Sequence, residues 1–321
     1  MHEVIFLEPV FKEMIWGGSR LADDFGYDIP GKHTGECWAV SAHKNGDCQI
    51  RGGSFGGKHL SELWREHREL FGGATVAAEE DMFPLLVKII DAKEDLSIQV
   101  HPDNTYAKEH ENGSLGKTEC WYILDCDKDA KIVIGHHAKS KEELKQMIKQ
   151  GRFDDLIRVI PVKKGDFFQI VPGTVHAIKG GTLILETQQN SDITYRLYDY
   201  GRLADGKPRK LHLEKSIDVI NCPHQDTGTA RVTEEFAGGI KEHLVSCDYY
   251  SVDRLSISGD ADFTMTDAFR IFSVVEGAGM IDGTDIKKGD HFLLPAGYGK
   301  YRLSGEMELI TSCTGKKKDP E

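Results

Sequence analysis

The chain has 321 residues, of which 29% are charged and 39% hydrophobic, and its formal net charge is −12. This length allows one or two domains with substantial cores. The acidic balance argues against a general nucleic-acid binder, and without a run of about 18 apolar residues we expect no membrane-spanning segment.

The N-terminal segment and the cysteines together predict a cytoplasmic protein. The first 18 residues have neither a basic start nor a small-residue cleavage site, so they do not resemble a signal peptide. The seven cysteines are scattered, odd in number and form no C-x-x-C pair. This pattern is typical of a reducing compartment.

Short apolar segments between glycine, aspartate and asparagine turns predict a mainly β fold. In chain order they are DCQIRGG (47–53), PLLVKIIDA (84–92), CWYILDC (120–126), AKIVIGH (130–136), DFFQIVPG (166–173) and TLILETQQ (182–189). Many short strands with few helices are typical of a β-sandwich or barrel that carries helical insertions.

Two segments predict helices. The first covers residues 60–73, LSELWREHRELFGG, and the second covers residues 140–160, SKEELKQMIKQGRFDDLIRVI. In the second segment Ser140 is a candidate N-cap, and Glu143 follows three residues later as in a capping box. Leu144, Met147 and Ile148 then follow with helical spacing.

A faint internal repeat predicts two similar β domains. VKKGDFFQIVPGTVH (162–176) resembles IKKGDHFLLPAGYGK (286–300), with one deletion before the proline. The boundary falls in INCPHQDTGTARV (220–232), where proline, glycine and polar residues cluster. His176 of the first copy corresponds to Lys300 of the second, so a function that needs this histidine would belong to the first domain alone.

The strand SIQVHPDN (97–104) suggests a metal site. Side chains two apart on a strand share a face, so Gln99 and His101 lie side by side. Glu119 in GKTECWYIL and His176 in VPGTVHAI are further candidate ligands. Two imidazoles, a carboxylate and an amide oxygen suit a divalent first-row metal. Spacing alone also allows packed core histidines and a solvent-facing glutamate.

Several of these motifs resemble those of type I phosphomannose isomerases. They are IWGG (15–18), SIQVHPDN, GKTECWYIL, VPGTVHAI and ETQQNSDITYRLYDYGR (186–202), and GECWAVSAH (35–43) is most similar to the short bacterial form. The resemblance implies two cupin-type jelly-roll domains with short helical insertions. We predict a catalytic, metal-binding domain over residues 1–225 and a smaller C-terminal domain without metal ligands over residues 226–321.

The resemblance also implies an activity and the residues that carry it. The family interconverts mannose 6-phosphate and fructose 6-phosphate with one zinc ion per chain. Its metal ligands match Gln99, His101, Glu119 and His176, and its active-site arginine and lysines match Arg196, Lys117 and Lys88. Larger members have Lys-Pro-Glu where this chain has Lys117-Thr118-Glu119, a difference that affects loop shape.

Aldose–ketose isomerisation moves a proton between C1 and C2, so it needs a base, a stabilised oxyanion and a phosphate anchor. Lys117 and Glu186 are competing candidates for the base. Arg196 is a candidate for stabilising charge or binding phosphate, unless it forms a structural ion pair with Asp192 or Asp199. Trp16 is expected to form a wall of the substrate pocket, although a core position is also compatible with the sequence.

Two other functions remain compatible with two histidines and a carboxylate on a jelly roll. One is a cupin-type non-haem iron oxygenase, which needs no basic side chains for phosphate. The other is a non-catalytic sugar-binding cupin, as the second repeat without His176 illustrates. The residues leave the oligomeric state and the physiological metal open.

Overall fold

The computed structural model describes residues 3–72, 82–204 and 206–315. Strands dominate these residues, as the sequence predicted. In chain order they are β1 (Ile5–Glu8), β2 (Val10–Gly18), β3 (Thr34–Val40), β4 (Ala42–His43), β5 (Gly46–Asp47), β6 (Gln49–Ile50), β7 (Leu85–Ala92), β8 (Ile98–Val100), β9 (Glu119–Cys126), β10 (Lys131–His136), β11 (Ile157–Pro161), β12 (Phe167–Ile170), β13 (His176–Ile178), β14 (Thr182–Gln189), β15 (Tyr195–Tyr198), β16 (Leu203–Ala204), β17 (Lys207–Pro208), β18 (Val232–Phe236), β19 (Gly239–Ser246), β20 (Tyr250–Thr264), β21 (Arg270–Ile281), β22 (Thr284–Lys287), β23 (His291–Leu294) and β24 (Lys300–Thr314).

Short helices interrupt the strands. They are α1 (Arg20–Asp23), α2 (Leu60–Glu66), α3 (Asn104–His110), α4 (Lys141–Lys149), α5 (Phe153–Leu156) and α6 (Leu213–Val219), with 3-10 turns at Gly53–Phe55 and Arg68–Phe71. Within the described ranges, none of these helices has the length and apolar character needed to cross a bilayer.

Two antiparallel sheets form a jelly-roll sandwich in the first two thirds of the chain. The larger sheet has the order β12-β9-β14-β7-β2-β3, and the smaller has the order β11-β10-β13-β8-β15. Ile90 and Ile184 of the larger sheet pack in one buried cluster with Ile132 and Ile178 of the smaller sheet. The two sheets therefore pack face to face, and side chains from both can meet between them.

A nine-stranded sheet holds the C-terminal part of the chain. Its order is β18-β19-β20-β24-β21-β23-β1-β6, and β22 pairs with β21. Phe272 stacks on Phe292 in its core, with ring centroids 5.0 Å apart. Because β1 and β6 come from the N-terminal region, pairing extends across the predicted division at residue 225, which stays a prediction.

The internal repeat has a structural counterpart. In the first copy the Lys163 N–H donates to Asp166 Oδ2 (2.9 Å), and in the second the Lys287 N–H donates to Asp290 Oδ2 (2.8 Å). Each turn leads into a strand, β12 or β23, and the next strand begins at His176 or Lys300 respectively. The correspondence predicted between these last two positions is therefore also structural.

The helix predictions hold in part. Residues 60–73 form α2 and a 3-10 turn, apart from Gly73, which lies outside the described residues. In the second segment the Ser140 side chain accepts a hydrogen bond from the Glu143 N–H and caps α4. The prediction of helix through residue 160 is wrong, because residues 157–161 form β11 against β10. Gly151, with φ of 66°, follows α4, and the β-branched Ile157 and Val159 favour the extended backbone.

Candidate metal centre and active site

Cross-strand neighbours bring the predicted residues of the smaller sheet together. His176 on β13 lies opposite Gln99 on β8, and Gln99 lies opposite Arg196 on β15. Directly opposite residues share a face of the sheet. His101 follows β8, and Glu119 begins β9 in the larger sheet. The candidate ligands therefore come from both sheets and meet between them.

A second row of side chains crosses the larger sheet. Trp38 on β3 lies opposite Lys88 on β7, Lys88 lies opposite Glu186 on β14, and Glu186 lies opposite Trp121 on β9. Although β14 is buried along its whole length, it carries Glu186 at its centre. A charge at such a position is unusual unless it is paired, so its partners matter for function.

His101, Glu119 and His176 form a compact, fully enclosed group. Their side chains are at most 1% exposed. The two Nε2 atoms lie 3.1 Å apart, and each lies 3.4 Å from one carboxylate oxygen of Glu119. All candidate ligand atoms of these residues lie within 4.8 Å of one another, a spacing that suits a single metal ion.

Hydrogen bonds set the tautomer of both histidines. His101 Nδ1 donates to the Ile193 carbonyl (2.7 Å) and His176 Nδ1 donates to the Thr174 carbonyl (2.8 Å). Burial lowers the pKa of His101 to about 3 and also lowers the pKa of His176. Both rings are therefore neutral at pH 7, and both Nε2 lone pairs face the Glu119 carboxylate.

This donor set fits a cation. Neither buried oxygen of Glu119 accepts an aligned hydrogen bond from any described residue. Burial alone would raise the pKa of Glu119, but nearby Lys117 outweighs burial and holds it well below its usual range. Lys117 balances one carboxylate charge, but no proton lies between the two imidazole lone pairs and the carboxylate oxygens that face them. A bound metal ion would satisfy these donors.

Gln99 lies beside this group. Its amide Nε2 is 3.3 Å from His176 Nε2, a donor position in the orientation shown. Rotating the amide by half a turn would place its oxygen at this position instead. The oxygen and nitrogen of an amide side chain are assigned from such hydrogen-bond contacts. Gln99 stays a predicted ligand.

Five buried or nearly buried charged side chains of alternating sign form a row that begins at the ligand group, which consists of His101, Glu119 and His176. In order along the row they are Glu119, Lys117, Glu186, Lys88 and Glu36. Lys117 Nζ lies 2.7 Å from Glu119 Oε2 and 3.5 Å from Glu186 Oε1. Lys88 Nζ lies 3.6 Å from Glu186 Oε1 and 3.5 Å from Glu36 Oε2. Glu186 Oε2 accepts a hydrogen bond from the Trp121 indole (3.1 Å). Two ammonium groups therefore lie among three carboxylates: Lys117 contacts Glu119 and Glu186, and Lys88 contacts Glu186 and Glu36.

Burial and neighbouring charges together set the pKa values of Lys117 and Glu186. Burial alone would lower the pKa of Lys117, but Glu119 and Glu186 outweigh it and raise the pKa above its usual value. Burial raises the pKa of Glu186, and the negative charge of Glu119 adds to this effect. In this charge arrangement Lys117 stays an ammonium that can donate hydrogen bonds, and Glu186 is the more basic of the two carboxylates.

Arg196 makes neither of the structural ion pairs considered from the sequence. Among the described residues it has no ion pair with Asp192 or Asp199, and its buried Nε has no hydrogen-bond partner. Nη1 donates to the Lys210 carbonyl (3.1 Å). Burial lowers the pKa of Arg196, and the neighbouring positive charge of Arg209 lowers it further.

These groups line one cavity of about 550 Å³. Trp16, Lys88, Gln99, Lys117, Glu186 and Arg196 are all part of its wall. Trp16 is also only 4% exposed and belongs to the core between the two sheets, so both of its expected positions apply. Its ring packs on Gly35, where a Cβ atom would lie 2.5 Å from the indole.

The structure adds site residues that sequence reasoning missed. Glu36, Trp38, Arg209 and His212 also line the cavity. Glu36 and Trp38 stand in GECWAVSAH, where alternation on a strand places them on one face and could have identified them. Arg209 and His212 follow the β16–β17 hairpin in a segment without regular periodicity, so no sequence signal placed them here.

Comparisons with known proteins agree along the whole chain. Residues 4–128 match the catalytic domain of type I phosphomannose isomerase, and residues 240–314 match the mannose-6-phosphate isomerase cupin domain. The chain is 53% identical to mannose-6-phosphate isomerase ManA of Bacillus subtilis, over 97% of this chain and 98% of that protein. It is 47% identical to the mannose-6-phosphate isomerase of Streptococcus mutans, over 97% and 98% respectively. A crystal structure of the mannose 6-phosphate isomerase from Bacillus subtilis superposes with a TM-score of 0.94 at 49% identity, covering 97% of this chain and 99% of that one. The jelly-roll fold and the resemblance expected from the sequence are both confirmed.

Proposed function

The chain belongs to the type I phosphomannose isomerases, an enzyme family, and we propose that it interconverts mannose 6-phosphate and fructose 6-phosphate at the cavity between its two jelly-roll sheets. One observation carries the mechanism we assign. Lys117 contacts both Glu186, a carboxylate with a raised pKa, and Glu119 of the ligand group, which suits a divalent cation.

We assign the ion to His101, Glu119 and His176, with Gln99 as a fourth, uncharged ligand, and we propose one zinc ion per chain. A divalent cation held by these residues would supply positive charge that stabilises a developing oxyanion. The chain's own part is to hold both imidazoles in the required tautomer through the Ile193 and Thr174 carbonyls.

Glu186 is assigned as the base that moves the proton between C1 and C2. The Trp121 indole fixes Glu186 Oε2, whereas Oε1 accepts no aligned hydrogen bond from any described residue. A buried carboxylate with a raised pKa is suited to accept a proton near neutral pH. Lys117, whose ammonium lies 3.5 Å from Glu186 Oε1, donates to the developing oxyanion.

The basic end of the cavity is assigned to charge stabilisation and phosphate binding. Arg196, Arg209 and His212 meet there, and the pKa of His212 is lowered by burial and by Arg196. Clustered positive groups favour an anion, and guanidinium groups bind phosphate through paired hydrogen bonds. Asp199 accepts hydrogen bonds from Arg209 Nε and Nη2 and fixes this guanidinium in place. We assign the phosphate chiefly to Arg209 through Nη1, which has no hydrogen-bond partner among the described residues, and the enediolate charge to Arg196, which lies opposite Gln99 beside the ligand group.

A metal-titrated isomerisation assay tests this proposal. The purified protein would be stripped with a chelator, reloaded with zinc and supplied with mannose 6-phosphate, and fructose 6-phosphate would be measured in a coupled reaction. We expect turnover to rise with zinc up to one equivalent per chain. Zinc-loaded protein that forms no fructose 6-phosphate would contradict the isomerase proposal, and equal turnover of stripped and loaded protein would contradict its metal dependence.

A further inference from the structure

A tight turn just before β13 is hydrogen-bonded to both histidines of the ligand group. It runs from Val171 to Thr174 and is closed by the Thr174 N–H, which donates to the Val171 carbonyl (3.1 Å). Its Gly173 N–H donates to the backbone carbonyl of His101 (2.9 Å). Its Thr174 carbonyl accepts the Nδ1 hydrogen of His176 (2.8 Å). The placement of this turn therefore affects the position of one ligand and the orientation of the other imidazole.

The same turn is also hydrogen-bonded to the segment predicted to divide the two domains, residues 220–232. Asn221 Nδ2 donates to the Pro172 carbonyl (2.8 Å), and the Asn221 N–H donates to the Gly173 carbonyl (2.9 Å). One residue of that segment therefore binds two consecutive carbonyls of the turn. Asn221 is itself no part of the cavity wall, so it can influence the ligand group only through the turn.

A glycine in the turn lets Asn221 approach it closely. Gly173 has a φ of 83°, in the left-handed region that favours glycine. A Cβ atom at this position would also lie 2.6 Å from the amide of Asn221. Any larger residue would therefore strain the backbone of the turn and push the Asn221 side chain away from it.

A buried histidine fixes Asn221 in turn. His136, at the end of β10, is 5% exposed, and its Nε2 donates to the Asn221 carbonyl (2.9 Å). A continuous series of hydrogen bonds therefore runs from His136 through Asn221 and Gly173 to His101, and each residue donates to the backbone carbonyl of the next. Because β10 pairs with β13, which begins at His176, this series is anchored on the sheet that carries the ligands.

We propose that Asn221 is a positioning residue of the metal centre. It holds the turn so that the imidazoles of His101 and His176 keep the spacing and the tautomer that a metal ion needs. Groups that orient metal ligands without binding the metal change its affinity in the same way as the ligands do, but by less. The Asn221 side chain is exposed, so replacing it should leave the core intact. This inference rests on the proposed function, and within it on the assigned ligands.

Zinc affinity and the visible spectrum of the cobalt-loaded protein test this role. The wild-type protein, Asn221→Ala and Asn221→Asp would be stripped of metal and titrated with zinc in competition with a coloured chelator. Asn221→Asp keeps the size of the side chain but places an acceptor against the Pro172 carbonyl. Both variants should raise the Kd for zinc roughly fivefold or more, as expected for the loss of one hydrogen bond. Both should also shift the absorption bands of bound cobalt, which depend on the geometry of its ligands.

Lys141→Met is the matched control. Lys141 Nζ donates to the carbonyls of Ile217 (2.8 Å) and Asp218 (3.2 Å), just before the same segment, and these two contacts involve neither the turn nor the ligands. This variant should keep the zinc affinity and the cobalt spectrum of the wild type. If it weakens zinc binding as much as Asn221→Ala does, or if both Asn221 variants bind zinc and cobalt as the wild type does, the positioning role is overturned. Wild-type protein that binds no zinc would instead contradict the ligand assignment of the proposed function.

Discussion

The Nε2 atoms of His101 and His176 lie 3.1 Å apart, while each ring donates its Nδ1 hydrogen to a backbone carbonyl. Two neutral imidazoles with facing lone pairs repel each other unless a cation lies between them. Each oxygen of Glu119 lies 3.4 Å from one of these rings, and the Lys117 ammonium, 2.7 Å from Oε2, lets the carboxylate remain charged while it is buried. The ligand group is therefore the part of the site whose removal has the clearest consequence.

We expect His101→Ala, Glu119→Ala and His176→Ala each to abolish retention of zinc and isomerase activity. Each loss leaves a site with too few charged or imidazole ligands to hold the ion. Metal content after gel filtration, measured by atomic emission, would be compared with the far-ultraviolet circular dichroism spectrum, which should keep its β signature. A His176→Ala protein with one equivalent of zinc and normal turnover would disprove the ligand assignment.

Gln99→Ala should be milder than these three variants. An amide adds no charge to the site, so we expect weaker zinc affinity and lower turnover with both still measurable. Zinc titration in the presence of a competing chelator would rank the four variants. Loss of metal as complete as in His176→Ala would give Gln99 a larger role than we assign.

Arg196 and Arg209 should differ in which kinetic constant they control. Removing an interaction made only in the transition state lowers kcat, whereas removing one made equally in the ground state raises KM. We expect Arg196→Ala to lower kcat roughly a hundredfold, about 3 kcal/mol, and Arg209→Ala mainly to raise KM. Mannose 6-phosphate and unphosphorylated mannose would serve as paired substrates. If Arg196→Ala weakens only the phosphorylated sugar and leaves kcat intact, Arg196 is a phosphate ligand.

We expect a buried histidine in the C-terminal sheet, His291, to make the stability of the protein depend on pH. His291 lies in β23, its Nδ1 contacts Ser273 Oγ (2.9 Å) and its Nε2 contacts the Tyr27 hydroxyl (2.8 Å). Burial lowers its pKa from 6.5 to about 4. Between these two values the unfolded chain binds a proton that the folded chain does not, so stability is full above pH 6.5 and falls as pH decreases to about 4. The loss is roughly 3 kcal/mol in the free energy of unfolding.

Urea unfolding at several pH values would measure this loss. His291→Gln should show a shallower decline between pH 6.5 and 4 than the wild type, with both proteins carrying the same metal content. Parallel declines in the two proteins would remove His291 as the cause.

The second copy of the repeat should play no direct part in catalysis. Lys300 occupies the position that corresponds to His176, at the start of β24. We expect Lys300→Ala to keep one zinc per chain and to leave kcat within a few fold of the wild type. A second equivalent of tightly bound zinc in the wild type that is lost in His291→Ala would contradict a purely structural C-terminal domain.

The ligand group could be predicted because strand alternation and the family resemblance both pointed to Gln99, His101, Glu119 and His176. The row of alternating charges was harder to predict from the sequence, because the pairing of Glu36 with Lys88 depends on the adjacency of β3 and β7. The sequence does not predict strand β11, because the N-cap and helical spacing upstream favour a helix that continues through residues 157–160. No local pattern indicated that β1 would pair with β23, because such long-range register is set by tertiary packing.

The most direct test of the central claim is hydrogen exchange at C2 of mannose 6-phosphate in deuterated water, followed by nuclear magnetic resonance. The account predicts that zinc-loaded wild-type protein places deuterium on C1 of the fructose 6-phosphate it forms and on C2 of the mannose 6-phosphate formed again by the reverse reaction. Glu186→Gln should retain one zinc per chain and lose the label together with turnover, because its amide cannot accept the proton. Wild-type rates of both labelling and turnover in Glu186→Gln would contradict the assignment of Glu186 as the base.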